Sequence, residues 1–298
     1  MDDTARLFKI ICRALPSPCR VSILSSEKKC FDREVFVFSD NIGDSDIVVM
    51  DNRILYHDLL VNVLASAGQD TIIAIPHIFD KIDFLPRIMY LARTHYYTAS
   101  IIPVDNGLLL MMKSIIPREV KAMLERSYRE AVLRGSHPVS YNTGRLLYII
   151  ARFMGLRRKT YILEIGAGTG FSTLWLGLAA KHSGSKLVSY EKNPDLAGLA
   201  QTYIRSSKLK DSAKIIASDP CKGVEANDYY LVFIDAEKSE YNKYIETLSS
   251  IISRAVIASH NIISHPVELR DYIEKIYGEH ESITLMSDSG GLALTLYP

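Results

Sequence analysis

The residues best able to do chemistry in this chain fall in a few short runs. YILEIGAGTGFSTLWL, from Tyr161 to Leu176, passes from an apolar strand pattern into alternating glycines, Gly166, Gly168 and Gly170, and then into a helical pattern. Glycines so spaced let a small molecule approach the backbone, and the helix N-terminus that follows, near Ser172, favours an anionic group. A dinucleotide loop, G-x-G-x-x-G, requires glycine at 171, where Phe171 stands, and a Walker loop requires Gly-Lys-Ser/Thr, also absent. Glu191 ends the next β-rich run, KLVSYE, where a carboxylate can accept from the hydroxyls of a ligand. Asp219 follows the third run in IIASDP. Further on stand Asp235 and Lys238 in FIDAEKSEYNKY, then His260 and Asn261 in VIASHNII, with His265 beyond them.

These residues need a scaffold that brings successive strand ends together. TYILEI, KLVSYE, AKIIAS, YYLVFID and AVIASH are short β-rich runs with helical segments between most of them, the order of βαβ units in a mostly parallel sheet. REVKAMLERSYREAVLR and TGRLLYIIARFMG precede them as amphipathic helices. ESITLM and LALTLY flank SDSGG and read as a terminal hairpin, which places one antiparallel strand at the sheet edge. The fold class is therefore α/β, with a doubly wound sheet over residues 114–298 and a smaller α/β domain over 1–113.

The smaller domain carries an echo of the larger. Residues 47–113 lie over 231–297 without a gap: Val48 and Asp51 meet Val232 and Asp235, Ile73 and Ala74 meet Ile257 and Ala258, and Gly107 meets Gly291. ARLFKIICRALPSPCRVSIL lies over GRLLYIIARFMGLRRKTYIL at a second offset, 139 instead of 184. The pattern implies a shortened copy lacking the glycine loop, its helix, and the next strand and helix, hence a domain without a cofactor site. Any two α/β segments share periodicity, so strand order is the test of this idea. Such a copy would serve packing, dimerisation or substrate selection, and a truncated sheet leaves apolar surface that self-association would cover.

Composition narrows the classes. The chain has 298 residues, 48% hydrophobic and 23% charged, with a formal net charge of +1, so no bulk field recruits nucleic acid. Its first residues, MDDTARLFKIICRAL, form neither a signal peptide nor a membrane span, which fits a cytoplasmic protein. Cys12, Cys19, Cys30 and Cys221 show no C-x-x-C or zinc spacing and read as buried free thiols.

The E-x-G-x-G-x-G run from Glu164 to Gly170 resembles the first motif of the class I S-adenosylmethionine-dependent methyltransferases. FIDAEKSEY resembles the D-A-D-K-x-x-Y segment of their metal-dependent O-methyltransferases, the catechol and caffeoyl-CoA type. HPVSYNTGRLL and SGGLALTLY resemble that family's lead-in and closing hairpin. The resemblance covers roughly residues 119–298 and implies an S-adenosylmethionine-dependent enzyme that methylates a hydroxyl of a small, catechol-like acceptor. It implies cofactor contacts at Val139, Ser140, Glu164, Gly166, Gly168, Gly170, Ser172, Glu191, Asp219 and Asp235, with Ser172 near the methionine carboxylate and Asp219 near the adenine amine. It assigns a divalent metal to Asp235, His260 and Asn261, and makes Lys238 and Asp235 the catalytic residues, with Lys238 orienting or deprotonating the acceptor hydroxyl. A free lysine titrates near about 10.4, so that role needs a neighbouring cation or desolvation. The family has aspartate where this chain has His260. One carboxylate, an imidazole and an amide carry less charge than magnesium prefers and suit manganese or another transition metal, or else mark loss of the metal. Two other readings stay open: an RNA hydroxyl as acceptor, with Arg157, Arg158 and Lys159 as phosphate contacts, and a non-catalytic S-adenosylmethionine-binding protein. No D/N-P-P-Y/F run of the amino-directed nucleic-acid methyltransferases is present.

Overall fold

In the computed structural model, which describes residues 3–24, 36–38 and 41–298, the β-rich runs pair into two sheets. The chain runs α1 (Asp3–Arg13), β1 (Cys19–Leu24), β2 (Phe36–Phe38), β3 (Ile47–Met50), α2 (His57–Ser66), β4 (Ile72–Ile75), α3 (Leu85–Thr94), β5 (Tyr97–Ile102) and β6 (Leu108–Lys113). It continues through α4 (Arg118–Leu133), α5 (Tyr141–Arg158), β7 (Tyr161–Ile165), α6 (Phe171–Ser183), β8 (Lys186–Glu191), α7 (Pro194–Ser206) and β9 (Ala213–Ala217). Then come β10 (Tyr229–Ile234), α8 (Tyr241–Leu248), β11 (Ala255–His260), α9 (Arg270–Glu279), β12 (Glu281–Leu285) and β13 (Leu292–Tyr297).

The second sheet has the order β12-β13-β11-β10-β7-β8-β9, parallel from β11 to β9. Its central strands β7, β10 and β11 are buried almost throughout because helices cover both faces; all of β10, YYLVFI, is buried. The antiparallel strand is β13, inserted between β11 and β12, so the edge expected of it belongs to β12 instead.

The first sheet has the order β2-β1-β3-β4-β6-β5. Read from the hairpin end, this is the order of the second sheet with β9 left off. The agreement reaches single residues: Ile73 pairs with Met111 as Ile257 pairs with Thr295, each position shifted by 184. One detail differs from the sequence reading. β2 lies parallel to β1, in the place β8 takes beside β7, so the next strand is present and it is β9 that lacks a counterpart among the described residues.

The two sheets share one core. α5 is buried from Thr143 to Gly155 except at Arg145, because it lies between them. It packs on β5 and β6 of the first sheet, while α1 packs on β12 and β13 of the second, so the opening helix of each half lies on the hairpin of the other. Asn142 closes this contact: Oδ1 accepts from Ile101 N and Ser100 Oγ, both at 3.0 Å, and Nδ2 donates to Ile101 O at 2.7 Å and Ser287 O at 2.9 Å. On the other side Arg13 meets Glu281 at 2.8 Å. The central apolar cluster runs without a break from Leu7 to Leu294, and two outer clusters lie under α2 and α3 and under α8 and α9. α5 thus covers one face of the first sheet's hairpin within the chain.

The thiol reading needs correction. Cys12, near the end of α1, and Cys19, opening β1, form a disulfide across a short turn, with Cα atoms 6.1 Å apart. Among the described residues Cys221 is the free cysteine, and Cys30 lies outside them. No described helix is long and apolar enough to cross a membrane.

Candidate functional site

The loops after β7, β8, β10 and β11 meet at the C-terminal ends of the parallel strands, where open α/β sheets hold ligands. They surround a cavity of about 560 Å³. Gly166 explains why the loop after β7 and the end of β10 share it. Its φ is +98°, and a Cβ there would stand 2.2 Å from the carbonyl oxygen of Asp235, so only glycine lets the two segments touch. Gly168 lies further along the loop and donates its N–H to Glu191 Oε2 at 2.8 Å, while Asn193 N–H donates to Oε1 at 2.9 Å. Two backbone amides therefore aim the buried Glu191 carboxylate at the cavity wall.

Of the residues expected from sequence, Val139, Gly166, Gly168, Ser172, Glu191, Asp235, Lys238, Asn261 and also His265 line this cavity. Ser140, Glu164, Gly170, Asp219 and His260 do not, and each has another place. Ser140 caps α5, accepting from Thr143 N at 3.0 Å. Gly170 opens α6 at φ +90° and presses against Ala200. Asp219 accepts from Cys221 N at 3.0 Å, leaving its neighbour Pro220 at the wall. Glu164 is fully buried under the loop, where Oε2 accepts from Thr173 Oγ1 at 2.7 Å and Ser189 Oγ at 2.5 Å, tying β7 to α6 and β8. Burial pushes its pKa up to about 7 against the pull of those hydroxyls.

Lys238 and Asp235 face each other at 3.2 Å, and Lys238 Nζ also donates to Ala236 O at 2.8 Å. His260 lies directly behind, 5% exposed. Its Nε2 meets Asp288 Oδ1 at 2.9 Å; its Nδ1 stands 3.3 Å from Asp235 Oδ2 without an aligned hydrogen bond to any partner. Burial draws the imidazole pKa down, but the two carboxylates outweigh it and hold it up at about 9. In return His260 and Lys238 keep Asp235 below the usual carboxylate range although burial works the other way. His260 likewise keeps Asp288 well below it, helped by Thr143 and the Ser140 amide.

The donor set can be tested against a metal. A buried ring nitrogen with no aligned partner, 3.3 Å from a carboxylate oxygen, has the spacing of two neighbouring ligands on one ion, about 3 Å for bonds of about 2.1 Å at right angles. Asn261 follows at φ +67° and uses its amide nitrogen on Ser264 Oγ at 3.0 Å, which leaves its oxygen as the donor able to ligate. Among the described residues no three His, Cys, Asp or Glu side chains converge, so a set of three needs this amide. The residues fit a divalent ion with mixed nitrogen and oxygen ligands.

The sequence reading passed over Asp288. In SDSGG it reads as a turn residue, yet β13 runs beside β11, so the turn that starts β13 faces the end of β11 where His260 sits. That pairing is the signal that finds it. The basic run is placed unlike a phosphate-binding surface: Arg157 pairs with Asp46 at 2.5 Å, Arg158 pairs with Asp228, and Lys159 alone of the three is exposed.

Comparison with known proteins adds the following. A family model described as O-methyltransferase matches residues 117–268. Over 129 residues the chain is 33% identical to a catechol O-methyltransferase of Mycobacterium tuberculosis, covering 42% of this chain and 57% of that protein. Over 119 residues it is 32% identical to a catechol O-methyltransferase of Niastella koreensis, covering 36% and 50%. The chain thus spans about half the length of the curated relatives it matches. The crystal structure of an O-methyltransferase from Bacillus cereus in complex with SAH superposes with a TM-score of 0.50 at 20% identity, covering 62% of this chain and 93% of that one. A methyltransferase from Podospora anserina, SAH-bound, gives 0.51 at 18%, covering 61% and 89%. These likenesses establish the Rossmann-like methyltransferase fold.

Proposed function

From the premise that the chain belongs to the O-methyltransferase family, we propose that it transfers the methyl group of S-adenosylmethionine to a hydroxyl of a small, catechol-like acceptor, assisted by a divalent metal. The observation that carries this reading is that one cavity joins the glycine loop and Glu191 to Asp235, Lys238 and Asn261. At about 560 Å³ it lies in the range of about 300–1,000 Å³ usual for small-molecule sites.

Each side chain then has a task. Glu191, aimed by two amides, accepts the ribose hydroxyls, and Gly168 leaves room for the ligand against the backbone. Ser172 stands in the first turn of α6, where an anionic carboxylate is favoured. S-adenosylmethionine supplies an electrophilic methyl; Asp235, His260 and Asn261 would hold a divalent metal, which would supply Lewis acidity to lower the pKa of an acceptor hydroxyl. Lys238 spends two N–H bonds on Asp235 and Ala236, and its third is left for the acceptor oxygen. In the reaction the acceptor oxygen gives its proton to solvent water, Lys238 orienting that oxygen as a donor, and bonds to the methyl carbon as the sulfur–methyl bond breaks, giving a methyl ether and S-adenosylhomocysteine. Placing oxygen in line with that carbon is the enzyme's main contribution.

A second reading rests on the same geometry. With no metal, a protonated His260 between Asp235 and Asp288 is itself the cation of the site. The test for both is transfer of radioactive methyl from S-adenosylmethionine to a catechol and, in parallel, to total RNA, each with manganese and with chelator. Counts in catechol lost to chelator support the metal reading; counts that survive chelator support the imidazolium. Counts in RNA alone refute the small acceptor, and none in any tube would point to a non-catalytic binding protein.

A further inference from the structure

We propose that Asp288 is the positioning residue that presents His260 to the metal, an inference that rests on the metal reading above. A ligating histidine almost always gives its second ring N–H to a carboxylate or carbonyl, which fixes both its tautomer and its orientation. Asp288 is placed to do this: Oδ1 receives Nε2 at 2.9 Å, which leaves Nδ1 as the lone-pair nitrogen facing Asp235.

The carboxylate is itself held on several sides. Oδ1 also accepts from Gly290 N at 2.9 Å, and Oδ2 accepts from Ser140 N at 3.1 Å and Thr143 Oγ1 at 2.5 Å. Asp288 therefore braces the imidazole against the first turn of α5, an element fixed by the central core. Gly290 makes the approach feasible, since a Cβ there would stand 2.5 Å from His260 Nε2 and 3.1 Å from Asp288 Oδ1. An imidazole is longer than the carboxylate it replaces and has a distal nitrogen that must be satisfied when buried. The hairpin turn supplies that partner from a different strand.

The experiment titrates cobalt(II) into metal-free protein and follows the visible absorption of the ion, with S-adenosylhomocysteine affinity measured by calorimetry on the same samples. Asp288→Asn offers one carbonyl oxygen where the carboxylate offers two. It should weaken cobalt about 10- to 100-fold, with S-adenosylhomocysteine affinity within about threefold of wild type. Gly290→Ala keeps Asp288 and its hold on α5 but wedges a methyl against Nε2; it should lose cobalt to a similar degree, and it decides the matter if Asp288→Asn fails to fold. Cobalt affinity and spectrum unchanged in either folded variant would overturn the assignment and leave Asp288 a helix cap. A wild-type protein that takes up no cobalt would overturn the metal reading itself, and is recognised without reference to either variant.

Discussion

Replacing Glu191 by glutamine tests the cofactor side of the site with the least disturbance, because shape is kept and charge is lost. Glu191 is 8% exposed, so solvent does little to dilute the effect. A hydrogen bond to a charged acceptor contributes about 1.5–3 kcal/mol and a neutral one about 0.5–1.5 kcal/mol, so exchanging two ribose contacts costs about 2–3 kcal/mol. At 1.4 kcal/mol per factor of ten this is a rise in Kd of roughly 30- to 150-fold for S-adenosylhomocysteine, read by calorimetry. The substitution also leaves Gly168 N–H or Asn193 N–H facing an amide NH2, which loosens the loop whatever the ligand. A cycle with the 2′-deoxy analogue removes that contribution: wild type should lose about tenfold on the analogue, and the variant clearly less, a coupling of about 1 kcal/mol. A Kd within threefold of wild type, or two losses that add with no coupling, would refute the ribose assignment.

Other expectations follow from the same contacts. Lys238→Ala should lower kcat by about a hundredfold or more while S-adenosylmethionine affinity holds within threefold, in the range for losing one positioned donor to a developing oxyanion; unchanged turnover removes Lys238 from the chemistry. Burial, with Arg152 and Lys181 nearby, lowers the His182 pKa to about 4, so the native state binds fewer protons than the unfolded chain between about 6.5 and 4. Stability should therefore fall as pH drops through that window, and His182→Gln, which can keep a partner for the Tyr148 hydroxyl now 2.8 Å away, should flatten the fall in melting temperature. Identical pH profiles would contradict this. Asn142→Ala should cost about 2–3 kcal/mol in urea unfolding by stranding Ile101 N and O, with one transition by every probe because the core is shared; a change below about 0.5 kcal/mol would show the contact to be idle.

How much was legible follows from how local each signal is. The strands from TYILEI to AVIASH, all but edge strand β9 largely buried, announce themselves as short apolar runs, and the glycine loop is constrained by its own backbone. The correspondence at offset 184 was readable because hairpin and strand spacing match where side chains differ. β2 was not, being three residues long with no alternation to detect. The roles of Glu164, next to last in β7, and Asp219, two residues beyond β9, depended on which way each side chain points, which position along the chain does not specify. Arg157 and Arg158 looked like a basic surface until Asp46 and Asp228, both far away in sequence, took them up. His260 was found as a departure from its family, but Asp288 became visible only through the pairing of β11 with β13.

The exchange of α1 and α5 between hairpins bears on how the protein responds to dilution. Two such units on separate chains would associate by mass action and come apart as concentration falls. Here the second unit is tethered to the first, at an effective concentration on the order of millimolar or above, and cannot diffuse away. Specific activity should then be the same at nanomolar and micromolar protein, with no lag on dilution, and the stoichiometry of the two units is set by translation of a single message.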